Sequence, residues 1–138
     1  MGKRISITVG DLRTEATLYE ERAPKAIAAL WQALPLRDKT VQVRWSGNAW
    51  RTEGDYGLLP KGTPCENLAT RLSAGDIIYF PPFKVGVAYG PAQWLNPFME
   101  PVDVSLLGKI DKKLEEFNAL CGLILYRGPL PIEIARID

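Results

Sequence analysis

Two short stretches hold side chains whose types and spacing suit chemistry. In "VRWSGNAWRTEGDY", Arg44 and Arg51 flank a Ser46-Gly47-Asn48 reversal, and Glu53, Asp55 and Tyr56 follow where the second arm runs out. On strand alternation, Arg51 and Glu53 point to one side while Trp50 and Thr52 point to the other. A guanidinium matches a carboxylate in a two-pronged geometry, and a carboxylate beside it suits a general base. The same pair equally suits a solvated salt bridge on an exposed strand, so both readings stand.

The second stretch is "GDIIYFPPFKVGVAYGP". Neither Pro81 nor Pro82 supplies an N–H, so the chain must turn or leave its ladder there, and Lys84 follows among Phe80, Phe83 and Val85. Desolvation would make its amine a nucleophile or proton carrier, whereas a bound anion would keep it charged. A lysine whose stem covers apolar surface while its head stays wet is the competing reading. If Lys84 is functional, carboxylate binding is preferred over a Schiff base. Trp50, Tyr79, Phe83, Tyr89 and Trp94 are candidates for a pocket wall, with Tyr79 or Tyr89 able to donate a proton; core packing is the alternative for each. "WLNPFMEP" is too apolar for an ordinary solvent loop and suits a lid or a contact between copies in a homo-oligomer. The base is left open among Glu53, Asp55 and Glu100.

Composition narrows what such side chains can serve. The 138 residues suit one domain, 1–138, with a real core. Seventeen basic and sixteen acidic residues leave a formal charge of +1, too little to hold nucleic acid. No stretch approaches the roughly 20 apolar residues that span a bilayer, so a cytoplasmic protein without membrane contact is expected. Histidine is absent. That removes the usual base of serine and cysteine hydrolases and the commonest zinc ligand, and no metal is expected. Cys65 and Cys121 read as free thiols. Nothing resembles a glycine-rich phosphate cradle, so no cofactor is expected.

The elements that must position these groups are mostly strands. "ISITVG" and "EATLYE" alternate around Gly10-Asp11 as a hairpin. "APKAIAALWQALP" changes to a helical period, with Pro24 in the first turn and Pro35 as the stop. "TVQVRW" and "AWRTE" form a second hairpin whose far end runs into a long loop, "EGDYGLLPKGTPCENLATRL". "DIIYF" and "VGVAYG" are strands, and "PAQWLNPFMEP" reads as a loop. "DVSLLGKI" runs into a helix "DKKLEEFNALCG" capped at Gly122, and "PIEIARI" closes the chain. Seven or eight short strands with two helices predict a mainly β, closed antiparallel barrel.

Three of these segments, in this order, resemble cyclophilins: "EERAPKAIAALWQAL", "SLLGKIDKKLEEFNAL" and "IEIARI". The Pro-Pro segment is similar to small bacterial cyclophilin-like proteins, a group that in turn resembles the cucumopine and mikimopine (opine) synthases. The resemblance implies a cyclophilin-like barrel acting on small carboxylated metabolites. Its most concrete version condenses L-histidine with 2-oxoglutarate through an imine and a Pictet-Spengler ring closure. Prolyl isomerase activity is a distant third expectation, because "AWRTEGDY" offers Arg51 without the Phe-His context of those enzymes. A non-catalytic barrel that binds a small ligand or another subunit is the alternative.

Overall fold

The computed structural model describes residues 3–80, 84–96 and 98–137. Strands β1 (Arg4–Val9) and β2 (Leu12–Leu18) form the expected hairpin, with Gly10 at a φ of 58° in the turn. Helix α1 (Pro24–Ala33) buries Ala26, Ile27 and Leu30. The next strand, β3 (Leu36–Gln42), starts directly after Pro35, earlier than alternation suggested. A 3-10 turn at Arg44–Ser46 then leads into β4 (Gly47–Thr52).

The long loop is irregular as far as Asn67 and ends in two short strands, β5 (Leu68–Ala69) and β6 (Arg71–Leu72). Beyond it lie β7 (Asp76–Phe80), β8 (Lys84–Gln93) and β9 (Val104–Lys112). Strand β8 continues through Pro91, where a loop was expected. Opposite it the β4 register shifts between Gly47 and Ala49, so the proline falls in an interrupted stretch of ladder that needs no N–H from it. Helix α2 (Leu114–Cys121) is followed by a four-residue helix, α3 (Ile124–Arg127), that alternation did not reveal. Gly122 does end α2, but with a right-handed φ of −60° that lets the chain continue into α3. Strand β10 (Pro131–Ile137) completes the fold.

Eight strands close on themselves in the order β2-β1-β10-β3-β4-β8-β7-β9, every pairing antiparallel and the ring sealed by β2 against β9; β5 and β6 pair outside it. This is the closed antiparallel barrel that the strand count implied. Its interior holds Ile5, Ile7, Trp50, Ile77, Tyr79, Val85, Val87 and Leu107, joined by Ile27 and Leu30 of α1 and Phe117 and Cys121 of α2. A second cluster lies on the outer face: Val43, Ala49, Leu72, Ile78, Ala88, Trp94 and Val104, with Phe80, Ala92 and Leu106 against it. Strands β4, β7 and β8 are therefore buried on both faces, as their near-continuous burial shows.

The β2–β9 seam carries a charge network. Arg4 spans to Asp111 at 2.8 and 2.9 Å and to Glu15 at 3.2 Å. Arg13 and Lys112 reach Glu15 at 2.6 and 3.3 Å, and Thr17 donates to Asp111 at 2.6 Å. Bonds from Arg13 and then Arg4 push the Glu15 carboxyl down to about 2, and Arg4 and Thr17 hold Asp111 below its ordinary value. Carboxylates depressed in the folded state stabilise it fully above their unfolded pKa and lose that contribution as they protonate. Thermal melts should accordingly show the unfolding midpoint dropping from the ordinary Glu value of 4.5 down towards pH 2. Arg4→Met should flatten that dependence; an equally steep profile in the variant would remove the seam network as its cause.

Candidate functional site

Alternation along the paired strands decides what meets outside the barrel. Arg51 pairs with Gly86, and Lys84 lies two residues from Gly86 on the same face, opposite Phe80 of β7. The three side chains line a recess on the outer face with Val43, Trp45, Trp94, Leu95 and Asn96. Its volume is about 240 Å³, just below the ~300 Å³ lower end of ordinary ligand pockets, which suits a compact molecule.

Gly86 makes the recess possible. A Cβ there would stand 2.8 Å from the outer edge of the Trp94 indole and 3.1 Å from the Trp50 carbonyl, so only bare backbone lets the ring lie on the sheet. Trp94 is 3% exposed and packs at a tilt against Phe80, with centroids 6.4 Å apart. Trp45 forms another wall, its Nε1 donating to the Leu95 carbonyl at 3.1 Å.

The two cations differ in their partners. Lys84 Nζ donates to the Glu53 carbonyl at 2.6 Å and pairs with Asp55 at 2.6 Å; its side chain is 15% exposed and that of Asp55 is 62%. Arg51 donates to the Thr52 carbonyl at 3.0 Å and joins none of the ion pairs among the described residues. Among the described residues, no acidic side chain lines the recess. The wall is thus positive and mostly carbon, an environment that strengthens attraction for an anion.

The turn carrying Asp55 is clamped from behind. The Asp38 carboxylate accepts from the Lys39 and Gly54 amides at 2.6 and 3.0 Å and from the Tyr56 hydroxyl. Burial works to raise the Asp38 carboxyl, but these bonds outweigh it and hold the group below its ordinary value. The Tyr56 phenol is pushed up by burial and by that carboxylate, and the Tyr79 hydroxyl donates to the Tyr56 carbonyl at 3.0 Å.

Of the residues singled out in the sequence, Arg51, Lys84 and Trp94 come together at the recess, with Asp55 and Glu53 joined to it through Lys84. Several others are placed elsewhere. Trp50 is fully buried inside the barrel, 6.4 Å from Phe117, and its Nε1 donates to Cys121 Sγ at 3.3 Å; it fills the core. Tyr79 is also fully buried in the interior and its hydroxyl is engaged by the loop, while Tyr89 faces inward and donates to Gln42 at 2.9 Å. Burial raises both phenols, which makes them poorer sources of a proton. Tyr56 serves the clamp. Arg44 is exposed on the 3-10 turn, beside Asn48 at 3.4 Å, and does not line the recess. Phe83 lies outside the described residues. Glu100 accepts from Asn96 at 2.9 Å at the tip of a small hairpin. Sequence reasoning missed Trp45, Val43, Leu95 and Asn96 as wall residues. Among the described residues, no His, Cys, Asp and Glu cluster that could hold a metal is found, and no helix is long and apolar enough to cross a membrane.

The family described as "Protein of unknown function (DUF3830)" matches residues 5–136, and the chain belongs to it. No curated protein matches. Among solved structures, the chain is similar to McbB in complex with tryptophan, at 20% identity and a TM-score of 0.77, covering 96% of this chain and 44% of that one. The chain thus spans less than half of the McbB chain. It is also similar to the hypothetical protein AF2241 from Archaeoglobus fulgidus, at 19% identity and a TM-score of 0.61, covering 99% and 95%. At these identities the likeness is one of fold.

Gly86→Ala should displace Trp94 from the sheet, costing about 1–3 kcal/mol as overpacking does. Chemical denaturation should give the lower midpoint, and tryptophan emission in the folded variant should shift to the red. Unchanged emission and midpoint would mean that Trp94 does not rest on Gly86.

Proposed function

We propose that this member of the DUF3830 family is an opine-type condensing enzyme, joining an amino acid to a 2-oxo acid at the Arg51–Lys84 recess. The observation that carries the reading is the pairing of two cations with a carbon-lined wall, one of them without a carboxylate partner among the described residues. Such a wall suits small carboxylated metabolites. L-Histidine with 2-oxoglutarate is the pair implied by the resemblance to cucumopine synthases. The tryptophan held by McbB supports the same class, since tryptophan and histidine each carry an α-amine and a nucleophilic ring carbon at the spacing ring closure requires.

The reaction is redox-neutral. The amine nitrogen adds to the keto carbon and water leaves, giving an imine. The ring carbon then attacks the imine carbon with its electron pair, and loss of the ring proton restores aromaticity. Arg51 binds a substrate carboxylate, and Lys84 balances a second when that carboxylate takes the place of Asp55. Glu53 serves as the base: strand alternation assigns it to the Arg51 side, and its backbone carbonyl accepts from Lys84. Cytoplasmic metabolite pools are where such substrates occur.

A second reading has one observation in its favour. Phe98 and Met99 at the hairpin tip are 82% and 59% exposed, as a contact between copies would require. In that case the barrel is a non-catalytic ligand-binding or interaction module.

Purified protein incubated with 2-oxoglutarate and either L-histidine or L-tryptophan should yield a product at the summed mass less one water. The product should resist borohydride, as a closed ring does and an imine does not. Glu53→Gln should keep ligand affinity within about twofold and lower turnover at least ~100-fold. No product from either amino acid, together with dimers that Phe98→Ser abolishes, would replace the synthase with the interaction module.

A further inference from the structure

We infer that the recess takes the ring and carboxylate of an apolar aromatic acid, phenyl- or indole-bearing, in preference to an imidazole; this rests on reading the recess as the substrate site. The inference comes from where the polar atoms of the wall already spend their hydrogen bonds. The Leu95 carbonyl accepts from Trp45 Nε1 and from Ser46 Oγ, both at 3.1 Å, which occupies its two lone pairs. The Leu95 amide donates to Ser46 Oγ at 2.9 Å. Asn96 Oδ1 accepts from the Phe98 and Glu100 amides at 2.9 and 3.1 Å, and Asn96 Nδ2 donates to Glu100 at 2.9 Å. Lys84 is held by Asp55 and the Glu53 carbonyl. Among the described residues, the side-chain groups of the wall left open to a ligand are donors: the Arg51 guanidinium, set beside the rings of Trp45, Phe80 and Trp94, and one N–H each on Asn96 Nδ2 and Lys84 Nζ.

A ligand with a single carboxylate therefore meets the Arg51 cation and a carbon surface, Lys84 becoming available only to a second carboxylate that displaces Asp55. Its carboxylate has a partner; an N–H on its ring finds the Leu95 carbonyl and Asn96 Oδ1 already occupied. An imidazole lowered into the recess carries polar nitrogens on two edges and would leave its N–H unpaired against carbon, and an unmet polar group is penalised far more than a met one is rewarded. A phenyl ring carries no such atom and an indole carries one, which can point to the open mouth. Both gain edge-to-face or offset contact with the aromatic wall.

Isothermal calorimetry at pH 8, where a free imidazole is neutral, separates these ligands by a matched set. The probes are 3-phenylpropionate, imidazole-4-propionate and 3-phenylpropanol. The phenyl acid should bind at least about tenfold more tightly than the imidazole acid, and the alcohol should lose a similar factor for want of a carboxylate. Arg51→Met should weaken the phenyl acid about tenfold while leaving the alcohol unaffected, and Trp45→Ala, at a partly exposed position, should weaken both. Equal or reversed affinities for the two acids, no binding of any probe, or an Arg51→Met variant that binds the phenyl acid as well as the parent protein does would overturn the inference. Phenyl-acid binding with no condensation product would sink the synthase and leave this inference standing. A product from L-histidine without any preference for the phenyl acid would do the reverse.

Discussion

An antiparallel sheet of eight strands exposes two hydrogen-bonding edges unless its outermost strands find each other. Here β2 meets β9 along Glu15 to Leu18, and the approach is close: a Cβ on Gly108 would lie 2.3 Å from the Thr17 carbonyl. A side chain at that position would hold the strands apart. The bulge between Glu15 and Ala16 adjusts the register, and the Arg4, Glu15 and Asp111 network ties the two strands together from outside. Only with the ring closed does the sheet acquire an inside, and only then can the helices supply Ile27, Leu30, Phe117 and Cys121 to it.

Closure also gives β4, β7 and β8 two different apolar surroundings, one on each face. Inward residues such as Trp50, Tyr79 and Val87 fill the barrel, while Ile78, Ala88 and Gly86 support the outer cluster beneath Trp94. The outer cluster shields the Arg51 and Lys84 stems from water on one side, so their charges act across a largely carbon wall. The clamp around Asp38 then fixes how far the Asp55 turn stands from Lys84.

Much of this fold was legible in the chain because local signals were strong. The Gly10 turn, the switch to helical period at Pro24 and the alternation of "PIEIARI" each reflect short-range physics. Strand β3 began earlier than expected because "LRDK" looks polar, and its place in the ladder is visible only once β10 is known to pair with it. The continuation of β8 through Pro91 depends on a bulge in a different strand. At the site, alternation correctly separated Arg51 from Trp50. It could not say which side was the interior, because both sides of β4 are buried, and so pocket wall and core packing both stood for Trp50, Tyr79 and Tyr89 until the structure placed all three in the core. Trp45 went unnoticed because a 3-10 turn has no strand or helical period to betray its direction.

The separation of the interior cluster from the outer one by a single thickness of sheet bears on how such a protein can diversify. Trp45, Phe80, Trp94 and Leu95 belong to the outer surface, and replacing them leaves the packing of Ile5, Leu107 and Phe117 untouched. Interior packing and ligand choice are thereby separated in evolutionary terms: the barrel can stay the same scaffold while the segment laid across its outside is rewritten for new chemistry.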